Sequence, residues 1–361
     1  MYDGPYRPHA LPPSPVRRLS RARPRRFAVR ASAALAALSA AVLTAGCGPS
    51  GTASSASERA DDRPKSSTAE GFPVTIDNCG VKTTYDRPPS RAVTIHQHPA
   101  ELLLSLGLKD RMVGTAFPDS VVLPSLREDY ASVPELATRA PSFENVLEAE
   151  PDFVYGGYSS AFDEKEGRSR KAFADAGIDT YLNREYCGGK NVTMRDTYAE
   201  IRTIGKIFGV PDRADALVSD LRRRVAKAST AVRDRPRVPV FVYDSGDKSA
   251  FTAGGKGLGT QLIHQAGGRN VFADLDDVFG DVSWEQVVDR RPEVIAIYDY
   301  AGDKSVEQKK RYLLAQPALA DVPAIKHKRF VVLPLTATLV GVRSAYAVEG
   351  LARGLHPESF T

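Results

Sequence analysis

The chain has 361 residues, of which 42% are hydrophobic and 26% are charged, and its formal net charge is +5. This length corresponds to about two ordinary domains and is sufficient for a buried core. Residues 1–46 contain eight Arg, no Lys and the single acid Asp3, so they carry a formal charge of +7 and the remainder carries −2. A nucleic-acid-binding domain needs its basic residues on the folded part, so nucleic acid is not expected as a partner.

The arginine-rich stretch precedes residues 31–45, which are fifteen small or apolar residues without a charge. This run is too short for an ordinary membrane span and is typical of the apolar part of a signal peptide. Residues 43–47, Leu-Thr-Ala-Gly-Cys, resemble a bacterial lipobox, although Thr44 stands where the commonest lipobox has Leu. The sequence therefore predicts a lipoprotein signal peptide over residues 1–46, with a plain cleaved signal or a short anchor as the alternative.

Residues 47–72 begin at Cys47, the predicted lipidation site, and are rich in Ser, Ala, Gly, Asp and Pro. Such a composition has little to bury and predicts a flexible tether. An acyl chain contributes about 0.8 kcal/mol for each buried CH₂, so the several chains of a lipoprotein hold it firmly. We expect an exported domain, outside the cytoplasm, that is anchored to the cell membrane through lipid on Cys47.

The two remaining cysteines are Cys79 and Cys187. An even pair in an exported domain favours a disulfide. Free thiols or a metal site are the alternatives, but neither cysteine has a second Cys or a His at ligand spacing.

Strand and helix patterns alternate beyond the tether and predict an α/β fold. An internal repeat divides this part, because residues 142–154 (SFENVLEAEPDFV) align with residues 283–295 (SWEQVVDRRPEVI), which places Glu144 on Glu285. Upstream, residues 100–107 align with residues 260–267, and the two offsets differ by nineteen residues. We expect two similar lobes, over residues 73–192 and 233–361, with an insertion in the first lobe within residues 119–137.

Residues 193–232 lie between the repeats and are charged and helix-periodic, with Pro211 at the expected first position of a helix. A helix of about twenty residues spans ~30 Å. The predicted architecture is therefore two similar α/β lobes joined by a stiff helical segment, with a ligand cleft between the lobes. In open α/β sheets ligands bind beyond the carboxyl ends of the strands.

Aromatic and polar residues follow the predicted strands and are the candidate ligand contacts. Aromatic faces give a large contact area, and Tyr hydroxyls and Asp carboxylates orient polar groups. Ordinary loop residues without a ligand are the alternative for each of them. The candidates are His96, Gln97, His98, Tyr155 and Tyr158 in the first lobe, and Tyr243, Asp244, Tyr298 and Tyr300 in the second.

His96 and His98 form an H-x-H pattern that could bind a transition metal. A dedicated metal site needs three or four ligands, so a polar wall or a structural role is favoured and no metal site is predicted. The glycines at residues 254–259 lack the spacing of a phosphate loop, and no motif pairs a nucleophile with a base. The sequence therefore predicts neither a cofactor nor an enzyme.

Several stretches together resemble the substrate-binding lipoproteins of ABC importers for iron(III)-siderophores and corrinoids. They are residues 90–115, the doubled S-[FW]-E-[NQ]-V motif, residues 259–274 and residues 341–357. The resemblance covers essentially the whole chain beyond the tether and specifies the family better than the ligand. It implies an α/β fold of two Rossmann-like lobes joined by a long rigid α-helix, with the ligand cleft between the lobes. It also implies a monomeric receptor that passes an iron chelate or a corrinoid-type molecule to a membrane permease dimer with its ATPase.

The resemblance also assigns roles to three residues. Glu144 and Glu285 occupy the positions at which one acid per lobe meets arginines of the permease, as a pseudo-twofold protein facing a twofold partner requires. Solvated first-turn acids, favoured by the helix dipole, are the alternative. Arg343 occupies a position that reaches the cleft and would counter an anionic ligand.

Three alternatives to the iron-chelate function remain at this stage. Similar proteins are associated with import of a phosphorylated deazaflavin-coenzyme precursor. A binding protein for a bare transition-metal ion would use His96 and His98. A cell-surface hydrolase is the third alternative and has the least support.

Overall fold

The structure, a computed structural model, describes residues 70–188, 191–302 and 304–360. The predicted signal peptide, Cys47 and nearly all of the tether lie outside these residues. No helix in the described part of the chain combines the length and the apolar character that crossing a bilayer requires.

The first lobe is a parallel sheet with helices on its faces, preceded by an antiparallel hairpin. Its strands are β1 (Val74–Asn78), β2 (Val81–Tyr85), β3 (Ala92–Ile95), β4 (Met112–Ala116), β5 (Glu135–Ala137), β6 (Phe153–Gly156) and β7 (Asp179–Leu182), and its helices are α1 (Gln97–Ser105), α2 (Arg127–Ser132), α3 (Phe143–Glu148) and α4 (Arg170–Asp175). β1 pairs with β2, and the sheet has the order β5-β4-β3-β6-β7. β3 and β6 are buried throughout, as strands covered on both faces must be.

The segment between the lobes forms two helices, α5 (Met194–Ile207) and α6 (Pro211–Ala231), instead of one continuous helix. The break contains Gly209 at φ +67°, and Pro211 begins α6, as predicted. Proline suits this place because the first helical N–H has no partner within the helix. α6 has 21 residues and is therefore ~30 Å long.

The second lobe repeats the plan of the first. Its strands are β8 (Val238–Tyr243), β9 (Ala250–Ala253), β10 (Gly268–Asn270), β11 (Phe279–Val282), β12 (Val294–Asp299) and β13 (Phe330–Pro334), and its helices are α7 (Leu258–Gln265), α8 (Trp284–Arg290), α9 (Val306–Leu314), α10 (Pro323–Lys326) and α11 (Ser344–Leu355). The parallel sheet has the order β10-β8-β12-β13, and β9 and β11 form a separate antiparallel pair.

The internal repeat predicted from the sequence is confirmed by the fold. The order β4-β3-β6-β7 in the first lobe corresponds to β10-β8-β12-β13 in the second. Ser142 caps α3 and Ser283 caps α8, each accepting a hydrogen bond from the backbone N–H three residues later, at 3.1 and 3.3 Å. α2 and β5 have no counterpart in the second lobe, so the predicted insertion is confirmed as well.

α6 is fixed to both lobes at equivalent places. Near its N-terminus, Arg213 donates to the carbonyl oxygens of Leu106 and Gly107, just beyond α1, at 3.2 Å each. Near its C-terminus, the Ser229 hydroxyl donates to the carbonyl of Gln265, the last residue of α7, at 2.9 Å. Because α1 and α7 are repeat partners, α6 holds the same part of each lobe.

The predicted disulfide is present between Cys79 and Cys187, which are 108 residues apart in the sequence. It joins the turn of the first hairpin to the segment that follows β7. The side chain of Asn78, at the end of β1, also connects the hairpin to β7. It accepts a hydrogen bond from the N–H of Leu182 at 2.7 Å and donates one to the carbonyl of Leu182 at 2.8 Å.

Replacing both cysteines (Cys79→Ser with Cys187→Ser) should lower the free energy of unfolding by about 4 kcal/mol, because a loop of this length is no longer closed in the unfolded chain. Urea denaturation of wild type and variant measures the difference. A thiol reductant should destabilise the wild type and leave the variant unchanged. Equal stability of wild type and variant would contradict the prediction.

Candidate functional site

The carboxyl ends of the two parallel sheets face each other, and the segments that follow the strands contact one another there. We call this region the seam. The N–H of Ala301, after β12, donates to the carbonyl of Asp119 in the first lobe at 3.1 Å. The Asn183 side chain, after β7, donates to the carbonyl of Val340 in the second lobe at 2.8 Å. The seam is therefore the position at which open α/β folds bind ligands.

An aromatic cluster lines the first-lobe side of the seam. It consists of His96, His98, Phe117, Tyr158 and Tyr186. The Tyr158 ring lies edge-on to His96 and His98, with centroid distances of 4.5 and 5.2 Å. The rings meet because the segments after β3, β4, β6 and β7 end at one edge of the sheet. The cluster offers a rigid surface of ring faces and edges.

His96 occupies an unusual backbone position between β3 and α1. Its φ is +83°, which is strained for a residue other than glycine, and its N–H donates to the carbonyl of Ala116 at 2.9 Å. The side chain is buried, and burial, followed by the charge of His98, holds the pKa of His96 well below its usual range. The ring is therefore neutral at physiological pH.

His98 is buried beside it, and its Nε2 lies 3.1 Å from the carbonyl oxygen of Gly157. The carbonyl can only accept, so Nε2 carries the proton and Nδ1 is an acceptor. Burial lowers the pKa of His98 to about 4. Nδ1 of His96 and Nδ1 of His98 are both buried without a hydrogen-bond partner among the described residues.

A buried ion pair crosses the seam between Arg343, at the start of α11, and Glu101 of α1. The guanidinium donates to both carboxylate oxygens through Nε and Nη2, and the side chains are 7% and 0% exposed. Glu101 also accepts from Gln97 at 3.0 Å and from the N–H of Leu123 at 3.1 Å. The predicted Arg343 does reach the seam, but it meets an internal carboxylate there.

Glu185 forms a second polar connection across the seam. Its carboxylate accepts from the N–H groups of Val340 at 2.7 Å and Leu258 at 3.4 Å, both in the second lobe. Burial raises the pKa of Glu185 to about 7. Sequence reasoning missed Glu185, Glu101 and Asp119, because acids next to or inside helices look like ordinary solvated residues until the tertiary contacts are known.

The remaining predicted ligand residues divide into two groups. Tyr300 and Asp244 meet in the second lobe, where the tyrosine hydroxyl donates to Asp244 and burial raises the pKa of that carboxyl. Tyr155, Tyr243 and Tyr298 instead lie within strands and are at most 1% exposed. The hydroxyl of Tyr155 donates to Glu200 of α5, and that of Tyr243 donates to the carbonyl of Gly246 at 2.7 Å. These three tyrosines contribute to the cores of the lobes in this conformation.

The fold and the seam define a two-lobed binding protein with an aromatic and polar site between its lobes. Residues 93–337 match the family model described as periplasmic binding protein. The chain belongs to this family, which confirms the resemblance derived from the sequence.

Individual relatives agree with this assignment. An uncharacterized ABC transporter substrate-binding lipoprotein, YvrC, of Bacillus subtilis is 28% identical over 92% of this chain and 98% of its own. A periplasmic binding protein of Veillonella parvula has a TM-score of 0.72 and 30% identity, covering 79% of this chain and 97% of its own. The structure of an ABC-type Fe³⁺-hydroxamate transport system of Saccharomonospora viridis has a TM-score of 0.67 and 28% identity, covering 80% of this chain and 99% of its own.

Replacement of Gly157 tests whether the histidine pair is held as tightly as the structure indicates. A Cβ at this position would lie 2.8 Å from Nε2 of His98 and 2.9 Å from Cβ of His96. Gly157→Ala should therefore lower the free energy of unfolding by about 1–3 kcal/mol, as overpacking of a buried site does, and should shift the imidazole NMR signals.

Gly350→Ala is the matched control, because Gly350 is exposed in α11 and a Cβ there meets nothing within 4 Å. It should be neutral or stabilising by up to about 1 kcal/mol, since alanine favours a helix. Urea denaturation measures both variants. A Gly157→Ala protein as stable as the wild type would show that the cluster is loosely packed.

Proposed function

We propose that the protein is the extracytoplasmic substrate-binding component of an ABC importer, and that it captures an iron(III)-siderophore or a similar bulky metallo-organic ligand between its lobes. The carrying observation is the aromatic cluster at the carboxyl edge of one parallel sheet, facing the equivalent edge of the other. Family membership and the names of the relatives support the transport role.

The chemistry of the aromatic cluster supports a large ligand. The cluster forms an extended surface rather than a small enclosed pocket. It consists of two neutral imidazoles and the half-buried rings of Phe117, Tyr158 and Tyr186. Such surfaces bind the apolar and conjugated parts of a ligand, and the unpartnered Nδ1 of His98 can accept a hydrogen bond from its amide or hydroxyl groups. Hydroxamate chelates and corrinoids carry both kinds of group.

The second candidate function, capture of a bare transition-metal ion, is favoured by one observation, the two unpartnered Nδ1 atoms. A dedicated site needs three or four ligands. Within the described residues, no group of three or more His, Cys, Asp or Glu side chains is arranged to hold a metal ion. We therefore propose that the metal arrives inside its chelate.

Binding by the purified full chain tests this proposal. A ferric hydroxamate chelate should bind with a measurable heat in isothermal titration calorimetry. Replacing both histidines (His96→Ala with His98→Ala) should weaken that binding by no more than about thirtyfold, because the two aromatic contacts contribute on the order of 1 kcal/mol each and about 1.4 kcal/mol corresponds to tenfold. Stoichiometric binding of free Fe³⁺, Ni²⁺ or Zn²⁺ that the double substitution abolishes, without chelate binding, would overturn the proposal.

We further propose that Glu144 and Glu285 contact the permease dimer. Each is the second residue of a Ser-capped helix, α3 or α8, and each is exposed. The capping serine Ser283 donates to Glu285 and keeps the pKa of that carboxyl below its usual range, so it is charged at neutral pH. Repeat symmetry gives the two lobes matching acids, as docking on a twofold partner requires.

Charge reversal at these acids (Glu144→Arg with Glu285→Arg) should abolish uptake of a ⁵⁵Fe-labelled chelate by cells that depend on this receptor, while chelate affinity stays unchanged. The control is Glu148→Arg with Asp289→Arg, which reverses two exposed acids at the other ends of the same helices. The control should preserve uptake. Unimpaired uptake by the Glu144 and Glu285 variant would remove these residues from the docking surface.

The remaining parts of the proposal concern the chain outside the ligand site. We propose that the signal peptide of residues 1–46 is removed, that Cys47 carries the lipid anchor, and that residues 47–72 tether the domain to the membrane. The two lobes and the linking segment then act as a monomeric receptor that binds its ligand without turnover.

A further inference from the structure

We infer that the ligand is a neutral or cationic chelate, typified by a ferric complex of three hydroxamates, and that the seam discriminates against polyanionic chelates. This inference rests on the proposed function and narrows its substrate class. It is carried by the charges of the buried side chains at the seam.

The arginine at the seam already has a counter-ion. Both side chains of the Arg343–Glu101 pair are buried, and the guanidinium also donates to the carbonyl of Val121. An anionic ligand that took Arg343 for itself would leave the Glu101 carboxylate buried without its cation, which is strongly unfavourable. A ligand that merely parts the two side chains leaves their charges on opposite walls of the site, where they sum to zero.

The other buried basic side chains are also compensated. In the described part of the chain the buried Lys and Arg side chains other than Arg343 are Arg168 and Lys309. Arg168 donates to the carbonyl of Ala161 at 3.2 Å, and the charges of Asp163 and Glu166 act on it. Lys309 donates to the carbonyl of Tyr298 at 2.6 Å; burial lowers the pKa of its ammonium group, and the charge of Asp244 partly offsets this effect. Neither side chain is available to pair with an anionic ligand.

Two buried acids remain at the seam after these pairings. The Asp119 side chain is 4% exposed, and its Oδ1 has no hydrogen-bond partner among the described residues. Glu185 accepts from the backbone N–H groups of Val340 and Leu258. Burial raises the pKa of each acid to about 7. Burial has this effect on carboxyl groups because it disfavours their charged form.

Asp119 lies where a ligand would meet it. Its backbone carbonyl accepts a hydrogen bond from the N–H of Ala301 in the other lobe. Its carboxylate interacts electrostatically with both Glu101 and Arg343. A buried acceptor without a donor is costly, so Oδ1 favours a ligand that brings an N–H group or an ammonium. An anionic ligand brings no such donor, and its charge would further disfavour ionisation of this desolvated acid.

Hydroxamate and catecholate complexes of Fe³⁺ differ in net charge, so the inference predicts which of them bind. Each hydroxamate brings one negative charge, so three of them around Fe³⁺ give a neutral complex, and a free amine on the ligand makes it a cation. Each catecholate brings two negative charges, so three of them give a trianion. The neutral and cationic complexes suit the seam, and the trianion does not.

Isothermal titration calorimetry of the purified full chain tests the inference with three probes. They are the ferric complex of a linear trihydroxamate with a terminal ammonium, the neutral ferric complex of a cyclic trihydroxamate, and a ferric tris-catecholate. Both trihydroxamates should bind at least a hundredfold more tightly than the tris-catecholate. Equal or tighter binding of the tris-catecholate overturns the charge inference and leaves the proposed function intact. Failure of all three to bind overturns both.

Two variants show whether the named acids set the preference. Glu101→Gln removes the counter-ion of Arg343 and should raise tris-catecholate affinity at least tenfold, with a fall for the cationic probe. Asp119→Asn should shift the two affinities in the same directions by several-fold, and it keeps the ion pair if Glu101→Gln does not fold. Glu148→Gln, at an exposed acid of α3, is the control and should leave the order unchanged. Unchanged affinities in a folded Asp119→Asn protein would contradict the role of that acid.

Discussion

The attachment of α6 to both lobes is the constraint on which the binding site depends. Parallel strands place all their carboxyl ends at one edge of a sheet, but two such edges form a site only if they face each other at a fixed distance. Arg213 binds the end of α1, and Ser229 binds the equivalent end of α7. A single helix of ~30 Å contacts the same element of each repeat, so α6 fixes the orientation of the two lobes relative to each other.

A few directional polar contacts join the two lobes at the seam. The N–H and carbonyl of a single residue, Val340, bind Glu185 and Asn183 of the opposite lobe, and Arg343 binds Glu101. Such contacts fix the geometry of closure, and water can replace them when the lobes separate. A ligand that enters must therefore compensate specific polar groups, which gives the protein a means of selection as well as of closure.

The architecture was predictable from the sequence because it follows from local sequence patterns and from an internal repeat. The paired motifs at Ser142 and Ser283 fix a capped helix and a buried strand in each lobe, and Pro211 marks the start of α6. The two remaining cysteines gave the disulfide by elimination. Pro211 also accounts for the break between α5 and α6, because a proline inside a helix removes a backbone hydrogen bond, and Gly209 lies in the break at φ +67°.

The roles of the side chains at the site were harder to predict. They depend on the direction in which each side chain points and on partners that are distant in the sequence. Tyr155 and Tyr158 are three residues apart, yet one packs on a sheet face against Glu200 and the other joins the aromatic cluster. A one-residue change in where a strand ends reverses such an assignment. Arg343 and Glu101 are 242 residues apart, so neither could be assigned a partner from local pattern.

The proposed docking of Glu144 and Glu285 on a twofold permease has a consequence for assembly. Two matching acids alone would allow the receptor to dock in either of two orientations that differ by half a turn, with the lobes exchanged. α2 and β5 occur only in the first lobe, and the β9–β11 pair occurs only in the second. These additions make the outlines of the lobes different, but a permease with an exact twofold axis presents the same surface after half a turn, so the two orientations are equivalent on it and only a permease of two different subunits distinguishes the lobes.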